Sequence, residues 1–133
     1  MGAAVFKAAV IALSCAACTS MSVDVRTLEG PPWNVAAIDG RATPADGNYN
    51  MEFAGGRISG RFGCNRWSGA YAVAGDTLMA SQVISTKMAC PEPGMSFENQ
   101  GLTVLNQPVR LVWTTGRKLT LSNSAGSIAL DRH

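Results

Sequence analysis

Residues Ile58 to Pro91 read ISGRFGCNRWSGAYAVAGDTLMASQVISTKMACP. Cys64 stands near one end of this stretch and Cys90 near the other, 26 positions apart. Between them lie strand-like runs broken by glycine. A disulfide between the two would close the stretch into a loop against which the remaining strands are built. Closing a loop of that size stabilises a fold by roughly 3–4 kcal/mol on the chain-entropy model. Two buried free thiols are the alternative, and the case between them turns on where the chain resides.

The N-terminus speaks to residence. Lys7 is followed by the apolar run Ala8–Ala12 and then by small residues up to Ala17. This is the charged, apolar and small-residue order of a secretory leader over residues 1–17. The run is too short to cross roughly 30 Å of hydrocarbon as a permanent helix. Cys18 follows Ala16-Ala17 and precedes Thr19-Ser20, which resembles a lipobox, with Cys18 acylated as the mature N-terminus. Position 15, where leucine is usual, is Cys15. Ordinary leader cleavage and free secretion is the alternative. Cys15-Ala-Ala-Cys18 also spells CxxC, but it sits in an apolar leader with no strand before it, so a redox site is not expected. Export to an oxidising compartment favours the Cys64–Cys90 bridge over free thiols.

From 18 to 32 the chain is a polar tether ending in Gly30-Pro31-Pro32. The folded domain is expected over 33–133. Trp33–Ile38 reads as a first strand closed by Asp39-Gly40. Tyr49–Phe53 and Arg57–Phe62 alternate apolar and polar about the turn Gly55-Gly56, as a hairpin does. Gly63 to Trp67 reads as a tight connection. Gly69–Val73 and Thr77–Met79 follow as strands, and Gln82–Met88 as an extended segment.

After Pro93 the period lengthens. Met95, Leu102 and Leu105 fall on one helical face, with Phe97 and Val104 beside it and Ser96 as N-cap. Pro108 ends the helix. Val109–Trp113, Lys118–Leu121 and Ser127–Asp131 then form a meander. The expected class is mainly β (α+β): an antiparallel sheet or partly open barrel, with one helix inserted before the last three strands.

Charge excludes some functions. The chain holds eleven basic and nine acidic residues, and the leader removes only Lys7. The balance near neutrality, with scattered cations, gives no footprint for nucleic acid. The single histidine is His133, the last residue. A His-based triad would therefore depend on a chain end, and no His/Cys set for a metal exists. The carboxylates show no pairing in their spacing. No catalytic residues, metal or cofactor are expected.

The residues flanking the two cysteines are of more interest. A bridge brings Asn65, Arg66 and Trp67 near Thr86 and Lys87. Together they could form a polar, cationic surface with an aromatic rim for a ligand or partner. Local turn chemistry is the plainer account, since Asn bonds nearby backbone and tolerates positive φ. Trp33, Trp67 and Trp113 are equally suited to core packing.

At these residues the sequence resembles the META domain, or HslJ-like, family. The resemblance rests on Trp33 to Gly40, Ile58-Ser-Gly60, Gly63-Cys64-Asn65, Gly69-Ala-Tyr71, and Ser85-Thr-Lys-Met-Ala-Cys-Pro91. It continues through Glu98, Leu105, Leu119-Thr-Leu121 and Ile128-Ala-Leu130. Pro93-Gly94 departs from the family's usual helix start. The resemblance implies an antiparallel β domain with one helix, often exported or lipid-anchored, and linked to heat stress, antibiotic tolerance and envelope integrity. It brings no catalytic residues with it. The expectation is a monomeric, non-enzymatic periplasmic lipoprotein, held on the outer membrane if Cys18 is acylated, with an envelope protein as partner. A small periplasmic hydrolase inhibitor is the alternative.

Overall fold

The computed structural model describes Gly2 and residues 25–133. The leader, Cys15 and the acylation candidate Cys18 lie outside the described residues. A short helix α1 (Val25–Leu28) precedes β1 (Trp33–Ile38), β2 (Arg41–Ala42), β3 (Tyr49–Ala54), β4 (Arg57–Phe62), β5 (Arg66–Ala74) and β6 (Thr77–Ser85). Helix α2 (Gly94–Leu105) follows, then β7 (Val109–Thr115), β8 (Lys118–Asn123) and β9 (Gly126–Asp131).

All strand pairs are antiparallel, and neighbours in sequence are neighbours in the sheet from β3 through β9. The sheet closes because β1 has two partners. It pairs with β3 at Trp33↔Met51 and with β9 at Val35↔Leu130 and Ile38↔Ile128. The result is a closed barrel of eight strands, with β2 as a flap on β1. Closure removes the free sheet edges that an open form would expose. The alternation in the sequence supplies the inside. Tyr49, Met51 and Phe53 of β3 point inward, as do Ile58 and Phe62 of β4. Aromatic pairs fill the interior, with Phe62 and Trp67 centroids 5.0 Å apart and Phe53 and Tyr71 5.2 Å apart.

The seam between β6 and β7 is short, at two rungs: Thr77↔Arg110 and Leu78↔Val109. The Leu111 N–H also donates to the Asp76 carbonyl at 2.7 Å, beside an Asp76–Arg110 ion pair of 3.0 Å. The ion pair is well exposed and adds little by itself.

Residues expected in the tether belong in part to the domain. Leu28 is fully buried in the core. Its carbonyl accepts from Trp33 Nε1 at 3.0 Å and from the Arg132 guanidinium at 2.8 Å. That guanidinium lies 3.9 Å from the Trp33 ring centroid, and burial lowers its pKa. The first and last turns of the domain are thus fastened to each other.

β6 is one continuous strand where the sequence suggested two pieces. A bulge explains this. Ser68 pairs with Ile84 and Ala70 with Ser81, so β6 carries one extra residue there. Gln82 takes a φ of 51° within it. The extra residue reverses the alternation, so Leu78 is buried while Ile84 faces out, 70 % exposed. Gly69 sits opposite, where a Cβ would come 2.7 Å from the Ser81 carbonyl oxygen.

Helix α2 also differs from its expected face. Phe97, Glu98, Gly101, Val104 and Leu105 are buried, while Met95 and Leu102 are half-buried. The N-cap is Pro93, not Ser96, and the Glu92 carboxylate accepts from both the N–H and the hydroxyl of Ser96. A carboxylate suits that end of the helix dipole. Counting apolar side chains misplaced the face because its closest approach is a glycine. A Cβ on Gly101 would lie 2.5 Å from the Phe62 ring.

Gly101→Ala tests this. In a free helix the change gains about 1 kcal/mol. Here overpacking against Phe62 costs about 1–3 kcal/mol, and the net effect is destabilisation in urea titration. A gain in stability would mean that α2 stands further from the barrel.

Candidate functional site

The corner between β4 and β5 is where the expected site residues converge. Cys64 and Cys90 are disulfide-bonded, with Cα atoms 5.8 Å apart. The bridge pins the segment that leaves β6 to this corner. Asn65 does so by hydrogen bonds. Its Nδ2 donates to the Met88 carbonyl and to Glu98 Oε2, both at 3.0 Å. Its Oδ1 accepts from the Thr86 hydroxyl at 2.9 Å and from the Met88 N–H at 2.8 Å. Its backbone N–H donates to Glu98 Oε1 at 2.7 Å. An Asn amide has two donor hydrogens and two acceptor lone pairs, and all four are used.

Asn65 and Glu98 are both buried. The Glu98 carboxylate is held by the two donors of Asn65, in a pattern of charge-assisted bonds. Lys87 is exposed and has no part in the cluster among the described residues. The cluster thus ties three elements: the β4–β5 corner, the 86–90 segment and α2. Its residues are bonded to one another and leave none of this chemistry over for a ligand.

The expected surface is therefore divided. Asn65 and Trp67 do not belong to a surface: both are 2 % exposed, and Trp67 packs on Phe62 inside the barrel. The reason is strand parity. Trp67, Gly69 and Tyr71 alternate inward along β5, which begins at Arg66 and so takes in the end of the expected connection. Arg66, Thr86 and Lys87 are exposed.

Arg66 and Thr86 line a groove of about 560 Å³ on the outer face of β3 to β6. Two registers build it. In one, Asn50 pairs with Arg61, and Arg61 with Arg66. In the next, Glu52 pairs with Ser59, Ser59 with Ser68, and Ser68 with Ile84. Gly60 and the edge of Trp67 complete the lining. Trp67 Nε1 is buried with no acceptor among the described residues.

Arg61 and Arg66 stand directly opposite each other, and like charges so placed weaken a strand pair. Arg61 donates to Asn48 Oδ1 at 3.1 Å. Among the described residues the one ion pair is Arg110–Asp76, so neither groove arginine is neutralised. Sequence reasoning missed Arg61, Asn50, Glu52, Ser59 and Ser68. The outward phase of β3 and β4 was visible, but the neighbour across β4–β5 was not. Among the described residues, no group of three or more His, Cys, Asp or Glu side chains is placed to hold a metal.

The fold has known counterparts. A family model described as the META domain matches residues 26–132. Two structures solved by NMR are similar. One is 23% identical, with a TM-score of 0.71 over 82% of this chain and 94% of that one. Another, from Burkholderia xenovorans, is 24% identical, with a TM-score of 0.66 over 82% of this chain and 86% of that one. At these identities the likeness concerns the fold. A comparison with curated proteins gives no match.

Proposed function

Because the chain belongs to the META domain family, which is in general one of envelope- and stress-related proteins, we propose that it is a non-enzymatic envelope lipoprotein. It supports stress or antibiotic tolerance by binding or stabilising envelope components. It is exported, carries its lipid on Cys18, and stands in the periplasm as a monomer anchored to the outer membrane. Nucleic acid is not among its partners.

The observation that carries this reading is the division of labour at the β4–β5 corner. Asn65, Glu98 and the disulfide are spent on rigidity, while Arg61, Arg66 and their neighbours face outward over a groove. A rigid frame that presents an unneutralised polar face suits binding. Turnover would require a positioned acid, base or nucleophile, and the groove offers one carboxylate, Glu52. A protruding loop with an exposed aromatic would favour the alternative, a hydrolase inhibitor, and the Trp67 ring is buried.

Cell fractionation tests the anchor. The full chain is expected in the outer-membrane fraction, and Cys18→Ala in the soluble periplasm. Two or three acyl chains hold a protein firmly, at about 0.8 kcal/mol per buried CH₂. Retention of Cys18→Ala in the membrane would remove lipidation from the account. Unchanged survival of a deletion strain under heat and antibiotic stress would remove the tolerance role.

A further inference from the structure

We propose that the groove over β3 to β6 binds an acidic saccharide, with a sugar carboxylate bridged by Arg61 and Arg66; this deepens, and rests on, the binding role proposed above. Three features of the groove define the ligand.

The first is charge. Arg61 and Arg66 stand opposite each other in the β4–β5 ladder, and both line the groove. No carboxylate within the described chain pairs with either. An anion between them would turn a repulsive strand pair into a shared clamp. Guanidinium forks match the flat, two-oxygen geometry of a carboxylate.

The second is the hydroxyl-matching row beside that pair. Ser59, Ser68 and Thr86 offer hydroxyls, Asn50 an amide and Glu52 an acceptor carboxylate. A bare inorganic anion would leave the acceptor Glu52 without a donor. A ligand that carries acid groups among hydroxyls uses both halves of the groove.

The third is the apolar wall. Ile84 is turned outward by the β6 bulge and is 70 % exposed. It offers an apolar face to the C–H side of a pyranose ring. The volume, about 560 Å³, falls within the range of small-ligand sites.

The test is calorimetric titration of the full chain with trigalacturonate. Maltotriose, inorganic phosphate and triglutamate serve as the other arms. Saturable binding of trigalacturonate is expected, weakening as salt is raised. Maltotriose, phosphate and triglutamate should each bind at least about tenfold more weakly, for want of the acid, the hydroxyls or the ring. Arg66→Gln and Arg61→Gln should each weaken trigalacturonate binding at least about tenfold. Arg66 is exposed and bonds to no other side chain among the described residues, and its loss relieves the repulsion with Arg61, so its variant should melt no lower than wild type and reports binding. In ¹H–¹⁵N spectra the Trp67 indole signal, assigned with Trp67→Phe, should shift on binding.

Absence of saturable binding, or binding indifferent to Arg66→Gln, overturns the proposal. Equal binding of triglutamate overturns the saccharide in favour of an acidic peptide, and equal binding of phosphate reduces it to an anion site. Failure of these titrations in a chain that still fractionates with the membrane removes the ligand class and leaves the lipoprotein reading. Release of the wild-type chain from the membrane, with titrations intact, does the reverse.

Discussion

Cys64→Ser lowers the melting temperature of the oxidised protein by roughly 12–32 °C. The figure follows from about 3–4 kcal/mol for a cross-link with a separation of 26 residues. In a domain of this size each kcal/mol moves the transition by about 4–8 °C. The bridge fastens a segment that makes no ladder of its own beyond β6, so its loss frees 86–93 as a unit. Scanning fluorimetry with and without reductant checks this. Wild type in reductant should melt with the variant. If neither falls, the hydrogen bonds of Asn65 hold the corner unaided.

Asn65→Ala is expected to cost about 3–5 kcal/mol, a large loss for a small domain. Of the four hydrogen bonds of the side chain, the one to Glu98 is buried and the other three are part-buried. Its removal strands one oxygen of the Glu98 carboxylate and leaves the Met88 N–H to water. The buried oxygen bears its full desolvation cost. The backbone bond from residue 65 to Glu98 persists, so the carboxylate keeps one donor. Urea titration of Asn65→Ala, Glu98→Ala and the double variant measures the coupling. The double should cost well under the sum of the singles. Simple additivity would show that the two side chains act separately.

Much of the fold could be read from the chain. The strict alternation of Tyr49–Phe53 and Arg57–Phe62 located β3 and β4 and their inner faces. The change of period after Pro93 located α2, and the expectation of export supported the Cys64–Cys90 bridge. The pairing of β3 with β4 and the meander of β7 to β9 could also be read, whereas the other choices of neighbour could not. Alternation tells which side of a strand is wet but not which strand lies beside it. β1's second partner, β9, is about ninety residues away and leaves no local mark. The Gln82 bulge disguised one strand as two. The burial of Glu98 leaves no local mark either, because its two donors come from Asn65, thirty-three positions earlier. Asn65 and Trp67 were right as neighbours of Arg66 and Thr86. They were placed on the wrong side of the wall, although the inward run of Trp67, Gly69 and Tyr71 was there to be counted. Arg61 gained its meaning only from the register that sets it against Arg66.

The two-rung join of β6 to β7 has a kinetic corollary. A hoop under thermal agitation parts where its staves are least joined, and here those places are the two-rung joins of β6 to β7 and of β1 to β3. In deuterium the amides flanking Leu78 and Val109 should exchange ahead of those in the six-rung β3–β4 and β8–β9 ladders. Such a barrel would breathe as a sheet that unrolls from one margin, with the other pairings still zipped.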